Sequence, residues 1–285
     1  MINLVEKIHG GCEMYKLIAC DVDETLLSLD NTVSKRNIEA IQKATELGVK
    51  FVLATGRGFP TVQETLKDIG LYDRKDHFVI SFNGGAVTEN KDNKILHYCG
   101  IDFDFASQMY SRGTEYDVCI HVYTLDKVYV YNYVEEERAH LETKMDVIEV
   151  FDKNLEFLRD EEIVKILYMN TDLDYLRKIE KEVAPYTENC DVSYSSNRYL
   201  EFNAKGANKG EGLAFLAQHL GINLSETIAI GDNHNDLPML EVAGLSVGVQ
   251  NMVPELKSKV NYLSKANHEE DAIHEVIEKF ILKAK

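Results

Sequence analysis

The run Leu17-Ile18-Ala19-Cys20, followed at once by Asp21-Val22-Asp23-Glu24-Thr25, constrains this chain more than any other stretch. An unbroken apolar run with polar residues on both sides is the pattern of a strand buried on both faces, as in a parallel sheet. In open α/β sheets ligands bind beyond the carboxyl ends of the strands, and there this strand leaves two acids one residue apart. Two carboxylates in that position repel each other and lose solvation unless something compensates, and a hard divalent cation such as magnesium is the simplest compensation. Asp-x-Asp alone is also an ordinary charged exit from a strand, so the rest of the chain has to decide.

The flanking segments repeat the same grammar. Ser34 is placed to cap a helix running to Leu47, with Ile38, Ile41 and Ala44 on one face and Gly48 as its stop. A second strand, Val49 to Ala54, ends in Thr55-Gly56-Arg57-Gly58; a helix from about Pro60 to Ile69 follows. A third strand, His77 to Phe82, ends in Asn83-Gly84-Gly85. Strand, helix, strand, helix, strand with short joints predicts a parallel sheet with right-handed crossovers.

From about Ala86 to Phe202 the strands become shorter and alternate polar with apolar, as in a sheet with unlike faces. Val118 to Tyr123 and Lys127 to Tyr133 suggest a hairpin about Leu125-Asp126. Helical patterns occur at 102–116, 135–144 and 173–183, and strands at 163–169 and 199–202. The doubly wound pattern then resumes. Asn208 caps a helix to Leu220 stopped by Gly221, and the strand Thr227 to Gly231 ends in Asp232-Asn233-His234-Asn235-Asp236. Pro238 falls in the first turn of the next helix, Leu245 to Val249 is a further strand, and His268 to Leu282 a closing helix. The expected fold class is α/β: a doubly wound, Rossmann-like parallel-sheet core from residues 14–87 and 203–285, interrupted by an inserted α+β domain at 88–202. Residues 1–13 read as an N-terminal extension, with Met14 a second candidate start.

Charge narrows the partners. With 48 Asp and Glu against 31 Lys and Arg, the chain carries −17, which argues against nucleic acid or a membrane surface as partner. An anionic substrate would need locally concentrated cations. Five scattered cysteines without a C-x-x-C suit a reducing cytoplasm better than a disulfide framework or zinc site. Cys20 reads as core rather than nucleophile, and no apolar run is long enough to span a membrane.

Polar groups suited to phosphate and magnesium therefore stand at Asp21/Asp23, Thr55-Gly56, Lys209 at a helix start, and Asp232 to Asp236. Separately these read as a cap, a solvated lysine and a turn; together they supply the parts of a phosphoryl transfer. The ordered motifs Asp21-Val22-Asp23-Glu24-Thr25, Thr55-Gly56-Arg57, Asn208-Lys209-Gly210 and Gly231-Asp232-Asn233-His234-Asn235-Asp236-Leu237-Pro238-Met239-Leu240 resemble those of the haloacid dehalogenase superfamily, Cof-type subfamily. The insertion sits where that subfamily carries its cap domain.

The resemblance implies a magnesium-dependent phosphatase of small phosphorylated metabolites, sugar phosphates among them. It makes Asp21 the nucleophile that becomes an aspartyl-phosphate and Asp23 the general acid and base. It makes Val22 and Gly56 phosphate contacts through their N–H groups, and Thr55, Lys209 and Asn235 further phosphate contacts. Magnesium would be held by the carboxylates of Asp21 and Asp232 and the backbone carbonyl of Asp23, with Asp236 orienting Lys209 or metal-bound water and Arg57 in support. Asp23 is expected to owe a raised pKa to its acidic neighbour and partial burial. A phosphomutase of the same superfamily, or a binding protein that keeps the fold, are the competing readings. Within the insertion, Tyr129, Tyr131 and Tyr133 alternate with Val128 and Val130. The valines are expected to pack on the cap helices and the tyrosines to share a half-wet face, either as recognition residues for the organic part of the substrate or as the ordinary outward or interdomain tyrosines that strands favour.

Overall fold

A computed structural model describes residues 15–141, 145–195 and 197–283. The proposed extension 1–13 and Met14 lie outside these, as does the end of the helix expected at 135–144.

Two sheets organise the chain. In chain order the strands are β1 (Leu17–Cys20), β2 (Lys50–Ala54), β3 (Phe78–Ser81), β4 (Ala86–Glu89), β5 (Lys94–Tyr98), β6 (Cys119–Thr124), β7 (Val128–Tyr131), β8 (Ile148–Val150), β9 (Ile163–Met169), β10 (Cys190–Ser195), β11 (Tyr199–Ala204), β12 (Thr227–Gly231), β13 (Leu245–Gly248) and β14 (Tyr262–Leu263). The α-helices are α1 (Lys35–Glu46), α2 (Gln63–Asp68), α3 (Phe103–Gly113), α4 (Glu135–Leu141), α5 (Leu173–Val183), α6 (Lys209–Leu220), α7 (Leu237–Val242) and α8 (Ala272–Ile277).

The first sheet has the order β14-β13-β12-β1-β2-β3-β4-β5, parallel from β14 to β3. Every residue of β1 and β12 is buried, as the unbroken apolar runs require of strands covered on both faces. Apolar clusters lie on both sides of this sheet, one built on α1 and α8, the other on α6 and α7. The expected caps are present: Ser34 accepts from the Asn37 N–H, Asn208 from the Glu211 N–H, and Gly221 ends α6 at φ +66°.

The second sheet, β10-β11-β9-β6-β7-β8, is antiparallel except for the β7–β8 pair. Helices α3 and α5 cover one of its faces. The inserted segment enters after β5 and leaves after β11, so the boundary expected at residue 88 shifts. Strands β4 and β5 extend the first sheet as an antiparallel edge, since β4 pairs with β3. Polar alternation identifies such strands as antiparallel but does not say which sheet they join.

The tyrosine face is also reversed. Tyr129 and Tyr131 point to the helix side, with ring centroids 5.6 Å from Phe157 and 5.8 Å from Tyr110 respectively. Val128 and Val130 lie on the other face with Cys119, Leu167 and Met169. Alternation held through β7 but ended at Asn132, whose φ of +52° turns the chain, and Tyr133 joins the valine side. The closing helix starts later than expected, at Ala272, because Asp271 takes a left-handed conformation.

Candidate active site

β1 and β12 are neighbours, so their carboxyl ends deliver Asp21 and Asp232 side by side. The Asp21 N–H donates to the Ile230 carbonyl at 2.9 Å, which extends the pairing to Asp21 itself. Lys209 opens α6, and its ammonium is fully buried between two carboxylates: 2.5 Å from Asp21 Oδ1 and 2.7 Å from Asp236 Oδ1. The second oxygen of Asp236 accepts the N–H groups of Asp232 at 2.9 Å and Asn233 at 3.0 Å. Gly231 makes room for this: a Cβ there would sit 2.5 Å from the Asp236 carboxyl group. Asp232 Oδ1 accepts the Thr25 hydroxyl at 3.0 Å.

Oxygen atoms of Asp21, Asp232 and Asp236 all lie within 4.8 Å of one another. The three acids face one buried ammonium, so full ionisation leaves two excess negative charges, a surplus that one divalent cation cancels. Hard oxygen donors suit such an ion. Asp236 is engaged at both oxygens, whereas Asp21 and Asp232 each have one oxygen in such a bond, to Lys209 and Thr25 respectively.

Electrostatics follow from the burial. Burial and then Asp236 push the Asp21 carboxyl upward, against the pull of Lys209. Burial, Asp21 and Asp236 raise Asp232 to about 8, although the Thr25 hydroxyl opposes them. Burial disfavours the Lys209 charge, yet Asp21 and Asp236 outweigh it and hold the ammonium above its ordinary value.

The neighbouring strand exits complete the site. Thr55 is buried; its N–H donates to the Ile80 carbonyl at 2.8 Å and its hydroxyl accepts the Arg57 N–H at 3.0 Å. A Cβ on Gly56 would come within 3.3 Å of the Asn83 amide. Asn83 in turn accepts from Asn235 Nδ2 at 3.2 Å, linking the exits of β3 and β12. Val22 is buried directly beside Asp21.

Asp23 differs from expectation. Its side chain is 52% exposed and held bidentately by Arg57, with Nε donating to Oδ2 at 2.9 Å and a terminal nitrogen to Oδ1. It stands at the rim of the site rather than among the buried acids, one residue before Glu24, whose φ is +56°. The site therefore unites Asp21, Val22, Thr55, Gly56, Lys209, Asp232 and Asp236, brings Asn235 in through Asn83, and leaves Asp23 at the rim. Sequence reasoning passed over Asn83; an amide followed by two glycines at a third strand exit was the available signal.

Residues 18–277 match the haloacid dehalogenase-like hydrolase family. The chain belongs to that family. It is 31% identical to "Putative phosphatase YxeH" of Bacillus subtilis strain 168, over 93% of this chain and 99% of that one. It is 30% identical to the 5-amino-6-(5-phospho-D-ribitylamino)uracil phosphatase YcsE of the same strain, over 94% and 96%. A solved haloacid dehalogenase-like hydrolase from Bacteroides thetaiotaomicron superposes with a TM-score of 0.83 at 26% identity, covering 93% of this chain and 99% of that chain. Among the described residues no helix is long and apolar enough to cross a membrane.

Proposed function

We propose that this hydrolase is a magnesium-dependent phosphatase of small phosphorylated metabolites, sugar or polyol phosphates in particular, working through an aspartyl-phosphate on Asp21. The observation that carries the reading is Lys209, buried between Asp21 and Asp236 with Asp232 beside them. Such a lysine holds the nucleophile in place and balances the charge of an incoming phosphoryl group.

Magnesium would be held by the Asp21 and Asp232 carboxylates and the Asp23 carbonyl; when bound it supplies charge neutralisation of the phosphoryl oxygens. Asp21 attacks phosphorus in line and the ester oxygen leaves with a proton from Asp23. Asp23 then takes a proton from the water that attacks the aspartyl-phosphate, releasing phosphate and regenerating Asp21. The Thr55 hydroxyl, the N–H groups of Val22 and Gly56, Lys209 and Asn235 hold the phosphoryl oxygens. Arg57 keeps Asp23 at the rim and must release it when the leaving oxygen arrives.

The inserted sheet acts as the cap, over a core made of the first sheet. The named substrate of YcsE, which carries a phosphorylated ribityl chain, supports the polyol class. The free thiols of buried Cys20, Cys119 and Cys190 support a cytoplasmic setting. A panel of phosphorylated metabolites assayed with magnesium for released phosphate tests the reading. Hydrolysis of several sugar or polyol phosphates, abolished by chelator, is expected. Phosphate relocated without release would make the enzyme a mutase, and no turnover of any ester would refute the phosphatase.

A further inference from the structure

The face of the second sheet opposite α3 and α5 is not uniformly apolar. Part of it carries Cys119, Val130, Leu167 and Met169, but towards the first sheet it carries Tyr123, Lys165, Glu201 and Asn203. Lys165 Nζ lies 2.7 Å from Glu201 Oε2, with side-chain exposures of only 8% and 5%. The Ser195 hydroxyl donates to the other oxygen of Glu201. The Lys165 ammonium also stands 5.0 Å from the centre of the Tyr123 ring.

This pair sits one aromatic layer from the phosphate loops. The Tyr123 ring meets Phe82 edge-on at 6.5 Å, and Phe82 immediately precedes Asn83, the residue that touches Asn235 and crowds Gly56. Regular pairing puts Lys165 there: Tyr123 faces Lys165 in the same register that sets His121 against Leu167 and Cys119 against Met169, and a bulge follows at once. Thr124 pairs with Ile163 but Tyr123 with Lys165, so Val164 is the extra residue. Val164 packs into the core of the first sheet, where a Cβ on Gly85 would come within 2.9 Å of it. The bulge therefore fastens the end of β9 next to Lys165 onto the first sheet; bulges recur beside active sites because they re-aim a side chain, here that of Val164.

A buried ion pair is weak as a stabilising device, since apolar residues of like volume do as well or better. Its place at the junction of the two sheets calls for another role. Resting on the phosphatase reading above, we propose that Lys165 and Glu201 are specificity residues that hydrogen-bond the hydroxyl groups of a neutral, polyhydroxylated organic moiety while its phosphate is held at Asp21. Lys165 has given one of its three donors to Glu201 and keeps two. Glu201 is held ionised: burial works against its charge, but Lys165, Ser195 and Asn203 outweigh it, so it remains an acceptor. Because the pair is internally neutral, it accommodates hydroxyls but offers no net charge to a second phosphate or a carboxylate.

The test uses the full-length enzyme with magnesium and compares kcat/KM for ribitol 5-phosphate, glucose 6-phosphate, fructose 1,6-bisphosphate and p-nitrophenyl phosphate. In Glu201→Gln the ratio of kcat/KM for the two hydroxylated monophosphates to that for p-nitrophenyl phosphate should fall at least tenfold. The uncompensated Lys165 ammonium should at the same time raise the bisphosphate relative to glucose 6-phosphate. Lys165→Met/Glu201→Leu, which replaces the pair by apolar volume and guards against misfolding of the single variant, should lower the first ratio without raising the second. Ratios unchanged from wild type in both variants, or a uniform fall for every ester, would overturn the proposal while leaving the phosphatase standing. If wild type hydrolyses p-nitrophenyl phosphate but favours neither hydroxylated ester, this inference fails alone; if it hydrolyses nothing, the phosphatase reading itself fails.

Discussion

Replacing Lys209 by Met removes the only ammonium between Asp21 and Asp236, both of which stay buried. Removing one partner of a buried pair typically costs roughly 3–5 kcal/mol, because the remaining charge is left uncompensated. Here the fold has an outlet, since an orphaned carboxylate can take up a proton. The penalty should therefore depend on pH. Asp21 is already raised by burial and Asp236, and Lys209 is the group that lowers it, so the substitution raises it further. A carboxyl raised in the folded state contributes stability that is present below the unfolded value and lost as pH rises through the folded value. Each additional proton retained by the folded variant steepens that loss by about 1.4 kcal/mol per pH unit. Wild-type Asp21 is already raised to about 7, so the variant retains on average about half a proton more between pH 6 and pH 8. Urea unfolding of the metal-free protein at pH 6 and pH 8 should show a deficit relative to wild type that is about 1–1.5 kcal/mol larger at pH 8. A deficit independent of pH, or none at either pH, would refute the placement of Lys209 as the counter-charge of this cluster.

The remaining expectations follow from the same geometry. Gly231→Ala should push the Asp236 carboxyl away from Lys209 and the two N–H groups it accepts, lowering stability by about 2–4 kcal/mol and kcat by at least tenfold; wild-type kcat would show that the carboxyl relocates without consequence. Asp232 is raised to about 8, so metal binding below that pH must displace its proton. Magnesium affinity measured by calorimetry should accordingly rise between pH 6 and pH 8, and proton release on binding should be absent only if Asp232 is not a ligand. Tyr131→Ala removes a ring packed against Tyr110 on the helix side, costing about 1–3 kcal/mol. It should leave the ranking of substrates intact, and a reordered ranking would restore tyrosine recognition.

The parts of the site that could be read in advance are those where a short-range pattern dictates the geometry. Asp21 and Asp232 follow buried parallel strands, so their positions follow from the sheet alone. The same is true of Lys209, fixed by the Asn208 cap. What the pattern could not convey depends on long side chains and on choices between two faces. Arg57 reaches Asp23 across a sequence gap that carries no signal of contact. Alternation in β7 shows which side chains share a face, not which face meets α3, and the left-handed Asn132 then ends the alternation. The Lys165–Glu201 pair joins β9 to β11, and alternation within each strand does not reveal that the two are neighbours or that their shared face meets Phe82 through Tyr123.

Covalent phosphorylation of Asp21 is the step on which the whole account rests. The direct measurement is an acid quench within the first turnover on a phosphate ester with magnesium, followed by borohydride reduction and peptide mass spectrometry. The aspartyl-phosphate of Asp21 should appear as homoserine at that position, and Asp21→Asn should give neither the label nor phosphate release while remaining folded. Burst release of phosphate with no reduced Asp21 at any quench time, or near-normal turnover by Asp21→Asn, would contradict the account.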